Sequence, residues 1–198
     1  MNKRLFNTAI VMHGGSSYRS ILHQGLLQAY FVRVLRQLGT YAKNSSVPFL
    51  TAHEDLPSLA WIRHASAPWL QDLVKPLTEE VALAPAIRMA LGALPAGEPG
   101  LITIVSDFHI IDVDEVTQLV DQILKHRPLT FLKLVFAAGE CQGNDILPLM
   151  LEERPGGRFD MVDTLFATRL CGQGESIEEN FDRKLSVVAS LVSTGYRP

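Results

Sequence analysis

The stretch that most restricts the fold is LITIVSDF, residues 101–108. It is apolar at nearly every position and no longer than a strand, so neither of its faces is reserved for water. Such a run fits a strand buried on both sides, as in a parallel sheet covered by helices. A parallel sheet needs long crossovers between its strands, and those crossovers are usually helical.

The rest of the chain supplies that alternation. LFNTAIVM reads as a first strand and YRSILHQGLLQAYFVRVLRQLGTYA as a long helix. In that helix Ile21, Leu22, Leu26, Ala29, Tyr30, Val34 and Leu38 recur at helical spacing, with Arg19, Arg33 and Arg36 left to water. SSVPFLTA is a second strand, and Pro48, which has no N–H to give a ladder, predicts an edge or a strand start there. LPSLAWIRHA and APWLQDLVK read as short helical pieces broken by Pro57 and Pro68. TEEVALAPAIRMALGAL is helical, starting either at Thr78 as N-cap or later with Pro85 in the first turn. PAGEPG is a turn. DVDEVTQLVDQILKHR is an amphipathic helix with acids at its start and Lys125, His126 and Arg127 at its end, matching the helix dipole. LTFLKLVFAAG is a strand, NDILPLMLEE a short helix and RFDMVDTLFAT a strand. A closing helix opens on the capping box of Ser176 and Glu179. The expected fold class is α/β: a three-layer α/β/α sandwich of Rossmann-like kind with a mostly parallel central sheet, one domain over residues 1–198.

Composition narrows the function. A net charge of −3 gives no general attraction to nucleic acid or to anionic membranes. No apolar run is long enough to cross a bilayer. The basic start MNKRLFNTAIVMHGG imitates a leader, but Ala9 to Met12 is too short for its apolar part, so a cytoplasmic protein is expected. Cys141 and Cys171 have no CxxC spacing and are expected as buried free thiols.

Ligands of such sheets bind beyond the carboxyl ends of the strands. Two strand ends carry chemistry: His13-Gly14-Gly15-Ser16-Ser17 and Ser106-Asp107-Phe108-His109. They lie side by side if their strands are neighbours. No Lys follows the glycines as a phosphate-binding P-loop requires, and the spacing is not that of a dinucleotide fingerprint. A serine hydrolase using Ser16 or Ser17, with His13 or His109 as base, lacks the G-x-S-x-G elbow. The plainer role for both serines is to cap the helix that follows. A divalent metal held by His13, Ser17 and Asp107, with His109 as a further donor, is an alternative that offers few ligands. The plain reading of both histidines is that of polar residues on an exposed rim. Asp112 and Asp114 are expected to cap or precharge the helix they precede, with a cation site in the cluster around Asp107, Glu115 and Asp121 as the rival.

Taken together, AIVMHGGSSYRSILHQGLLQAYFVRVL, EEVALAPAIRMAL and LITIVSDFHI resemble the von Willebrand factor A (vWA) fold, especially its bacterial tellurium-resistance and copine-like branch. That family opens on a strand ending in Asp-x-Ser-x-Ser, has a Thr before an Ala-Pro-x-Ile helix start, and ends a buried strand in Thr-Asp-Gly. The resemblance implies a metal-ion-dependent adhesion site at those positions. It places His13 at the Asp, Gly15 and Ser17 at the serines, Val81 at the Thr, and Ser106, Asp107 and Phe108 at Thr-Asp-Gly. Three of the five metal-binding positions are thereby changed, to His13, Gly15 and Val81. The resemblance therefore implies a degenerate site without cofactor or divalent metal, in a non-enzymatic module that binds another protein. Its rim would be His13, Gly14, Gly15, Ser16, Ser17, Tyr18, Val81 to Pro85, Asp107, Phe108 and His109, with His13, Tyr18 and Phe108 as partly exposed anchors. A bacterial cytoplasmic assembly or stress-response system is the implied setting. Trp61 and Trp69 offer a separate surface, although core packing is expected of at least one of them.

Overall fold

The computed structural model describes residues 5–13, 42–44, 46–52, 57–63, 82–106, 110–127, 129–136 and 159–162. Six strands form one sheet: β1 (Asn7–His13), β2 (Ser46–Ala52), β3 (Ser58–Arg63), β4 (Gly100–Ser106), β5 (Thr130–Phe136) and β6 (Phe159–Val162). Their spatial order is β3-β2-β1-β4-β5-β6. All neighbours are parallel except β2 and β3, which are antiparallel. The described helices are α1 (Ala84–Ala93), before β4, and α2 (Val113–His126), after it.

The mostly parallel sheet expected from the run at 101–108 is present, with β4 between β1 and β5 and buried along its whole length. One face of the sheet carries Ala9, Val11, Leu50, Ile102, Ile104 and Leu132 in a cluster with both helices. α1 contributes the small residues Ala84, Ala86 and Ala90 with Ile87, which lets it lie close over β1 and β2. α2 contributes Val116, Leu119, Val120 and Ile123, the spacing of a single helical face. The opposite face, with Ile10, Met12, Phe49 and Val105, is equally closed to water. A sheet buried on both faces is what the α/β sandwich expectation required.

Two assignments are corrected. LPSLAWIRHA does not contain a helical piece; Ser58–Arg63 is a strand. Aromatic and β-branched residues at 61 and 62 favour an extended chain, and pairing with β2 along Ser46↔Arg63 to Thr51↔Ser58 overrides helix propensity. Among the described strands this one takes the sheet edge, so β2 does not fill the first of the two places Pro48 allowed, an edge, while Pro48 does lie near the start of β2. Pro48 is tolerated because pairing of β2 with β1 begins one residue later, at Ile10↔Phe49. Upstream, Asn44 stands in for a ladder: its amide accepts from Thr8 N–H at 3.0 Å and donates to the carbonyls of Thr8 and Ser46 at 2.9 and 3.0 Å.

α1 begins at Ala84 with Pro85 in its first turn, the later of the two starts considered. The turn after it holds Gly97 at φ +79°, a left-handed conformation that favours glycine. The sequence-predicted helices at 18–42, apart from Ala42, which bridges to Phe6, and at 176–195, the short helical segments at 67–75 and 144–153, both cysteines, Thr78 and Trp69 lie outside the described residues.

Candidate functional site

Strand order reverses between β1 and β4: from β1 the chain builds outward to β2 and β3, then returns to place β4 on the other side of β1. That reversal is the switch point at which open α/β sheets bind ligands. The last residues of the two strands there are His13 and Ser106. The register Met12↔Val105 makes them the next pair along the ladder. Residues 9 and 11 of β1 and 102 and 104 of β4 belong to the cluster under α1 and α2, and alternation puts 13 and 106 on that same face. Both side chains are 0% exposed, and His13 Nδ1 lies 3.0 Å from Ser106 Oγ. Either the hydroxyl donates to the ring nitrogen or the ring N–H donates to the hydroxyl oxygen, according to tautomer.

A serine and a histidine at this distance have the contact geometry of a nucleophile and its base. Both side chains are closed to solvent in this structure. What the pair does is satisfy two polar groups that the strand ends place in a dry layer, where an unpaired one is costly.

A second arrangement ties the neighbouring segments together. Asp112 immediately precedes α2, and its carbonyl accepts from Val116 N–H at 2.9 Å to close the first turn. Its carboxylate turns away from α2 to the start of α1. Oδ1 accepts from Leu83 N–H at 2.9 Å and Oδ2 from Ala84 N–H at 2.8 Å. Helix starts leave N–H groups without intrahelical partners, and Leu83, the N-cap residue of α1, has no side-chain oxygen to offer them. Asp112 supplies the missing acceptors from 28 and 29 residues away. The expectation that Asp112 caps its own helix is thus corrected: its backbone serves α2 and its side chain serves α1. Asp114 is an exposed member of the first turn of α2, in the favourable dipole position. Arg88 and Glu115 form an exposed ion pair between the two helices.

The structure brings together the two strand ends that the sequence analysis singled out. It overturns the placement of His13 on an exposed rim: as a wholly buried side chain it is not a partly exposed anchor. The inward parity of residue 13, shared with Ala9 and Val11, is the signal that could have shown this. Gly14, Gly15, Ser16, Ser17, Tyr18, Val81, Asp107, Phe108 and His109 lie outside the described residues. Among the described residues no group of three or more His, Cys, Asp or Glu side chains is placed to hold a metal ion. Nor is any helix among them long and apolar enough to cross a membrane. Trp61 is 57% exposed on β3, so the core role expected of at least one tryptophan is not filled by Trp61.

No family model matches the chain, and no curated protein matches it. Solved structures do. The SpRpn10 VWA domain aligns over 86% of this chain and 98% of its own, with a TM-score of 0.55 and 13% identity. The pilus adhesin SpaC from Lactobacillus rhamnosus GG aligns over 94% of this chain and 31% of its own, with a TM-score of 0.56 and 10% identity. Proximal thread matrix protein 1 from the mussel byssus aligns over 97% of this chain and 47% of its own, with a TM-score of 0.52 and 11% identity. This chain therefore spans less than half of the adhesin and of the matrix protein. At such identities the likeness is one of fold, and the fold is vWA-like.

Proposed function

We propose that this chain is a non-enzymatic protein-interaction module of vWA type whose metal-ion-dependent adhesion site is degenerate. The observation that carries the reading is His13, fully buried at the end of β1 and hydrogen-bonded to Ser106 at the position where the resembled family has its first carboxylate. The donor chemistry argues in the same direction. Mg²⁺ takes oxygen ligands and gives up water reluctantly, whereas position 13 offers an imidazole whose Nδ1 is already engaged. Asp112, the carboxylate nearest in sequence to the β4 end among the described residues, has both oxygens turned to the backbone of α1. The fold's metal does not fit these groups, and contact with a partner would rest on the rim from Gly14 to Tyr18, the segment around Val81, and Asp107 to His109.

Structural neighbours that include an adhesin and a matrix protein support a binding rather than a catalytic role. A bacterial cytoplasmic assembly or stress-response system, related to the tellurium-resistance branch, is the setting we propose. Titration calorimetry with Mg²⁺, Mn²⁺ and Zn²⁺ tests the metal claim, with no heat of binding expected. Micromolar binding that Asp107→Ala abolishes would overturn it.

A further inference from the structure

Among the described residues no strand pairs with the outer side of β3. Soluble proteins guard such edges with charge, proline, bulges or a covering segment, because an open strand templates pairing with another chain. β3 reads Ser58-Leu59-Ala60-Trp61-Ile62-Arg63, with a single charged residue at its last position. Leu59 and Trp61 are 40% and 57% exposed. They pair in register with Leu50 and Pro48, which puts them on the sheet face that carries α1. α1 lies over β1 and β2, so these two apolar side chains stand beside it in water.

We propose that β3 pairs antiparallel with β3 of a second copy of this chain, about a two-fold axis at Ala60. The strand is self-complementary in that register. Ala60 faces the partner's Ala60, and Leu59 faces the partner's Trp61 on both sides of the axis. The axis stands perpendicular to the sheet, so the exposed pairs gather on one face as cross-strand neighbours, the unit that stabilises antiparallel sheets. Charge favours the same arrangement. In the antiparallel pair the two Arg63 positions fall at opposite ends, whereas parallel pairing sets like charges side by side. The contact uses the same patch on both copies and closes on itself, as two-fold interfaces do. This surface is separate from the strand-end rim and stands whether or not that rim binds a partner.

Sedimentation of the full chain tests the proposal. The unsubstituted protein is expected at the mass of two chains, and Trp61→Lys at the mass of one, with the circular-dichroism spectrum of the folded chain retained because Trp61 is exposed in the single chain. Leu59→Lys, at the other half of the pair, is expected to behave alike and serves if Trp61→Lys fails to fold. Ala60→Cys fixes the register. Directly opposed residues lie about 4.5–5.5 Å apart between Cα atoms, within disulfide reach. Mild oxidation of Ala60→Cys should therefore give a covalent dimer that neither the unsubstituted chain nor Leu59→Cys gives. A monomeric unsubstituted chain, a dimer that survives both lysine substitutions, or an Ala60→Cys dimer that does not cross-link each overturns the proposal.

Discussion

The two ends of the central strands meet water on different terms. At the amino end, Glu98 accepts from Lys43 at 3.1 Å and from Asn7 at 3.2 Å, and the side chains of Lys43 and Glu98 remain 37% and 49% exposed. At the carboxyl end, His13 and Ser106 meet with no exposure at all, and Asp112 spends its carboxylate on backbone N–H groups. Solvent screens the first network, and exposed ion pairs of that kind contribute little. It screens the second poorly, so each polar group there needs a protein partner and its loss is costly. The same strands thus end in a tolerant surface on one side and an exacting one on the other, and the exacting end is the one beyond which open α/β sheets bind ligands.

The largest effect is expected from His13→Asp, which restores the residue type of the resembled family at position 13. An ionised carboxylate in that fully buried place lacks the cation that would compensate it. The loss expected is about 3–5 kcal/mol, that of an uncompensated buried charge, read as a lowered midpoint in urea with metal chelated. A native midpoint would show that the carboxyl end accepts charge as readily as the amino end and would erase the contrast between them.

Asp112→Ala comes next. It leaves the N–H groups of Leu83 and Ala84 without their carboxylate and unlinks the start of α1 from that of α2. Caps of this kind are worth about 1–2 kcal/mol. Hydrogen exchange gives the sharper reading: the Leu83 and Ala84 amides should lose protection while those of β4 keep theirs. Equal loss in β4 would mean that Asp112 supports the whole sheet rather than this one junction.

A third test lies within a single strand. Ser106 and Thr103 are both buried on β4, but Ser106 has His13 while the Thr103 hydroxyl, with that of Thr8, has no hydrogen-bond partner among the described residues. Ser106→Ala should destabilise by about 1 kcal/mol, since it takes a partner from a buried ring nitrogen. Thr103→Val should be neutral or stabilise by up to about 1 kcal/mol, since it removes a hydroxyl that is desolvated without return. Equilibrium unfolding of the two variants should move in opposite directions. Movement in the same direction would show that the His13 contact contributes no more than an orphaned hydroxyl.

These contrasts were unevenly visible in the sequence. LITIVSDF announced its own double burial because a strand without a polar face has only one kind of place to be. The 13 and 106 strand ends lie together because β1 and β4 are neighbours, a condition that the sequence left open. The burial of His13 was misjudged because a histidine next to glycines looks like rim, while only its parity with Ala9 and Val11 reveals the inward face. The grip of Asp112 on α1 was hidden for a different reason. A side chain just before a helix is read against that helix, and nothing local signals two N–H groups 28 and 29 residues back. β3 was missed because Pro57 suggests interruption, and its pairing with β2 is a tertiary fact.

The smallest effect belongs to the amino end and has a definite sign. The hydrogen bond from Lys43, with a further one from Asn7 and the nearby Lys43 charge, holds the Glu98 carboxyl below its ordinary value. A group whose pKa is lowered by folding adds stability when ionised. That contribution is complete above the ordinary carboxylate range and is lost as pH falls through the lowered value. Glu98→Gln should therefore leave a slightly flatter acid limb in stability against pH, with the two proteins converging at the acid end. The difference should shrink further in high salt, because both charged partners face water. An acid limb equally steep in the variant, or a difference that persists in salt, would move this end of the sheet out of the solvent-screened class and weaken its contrast with the carboxyl end.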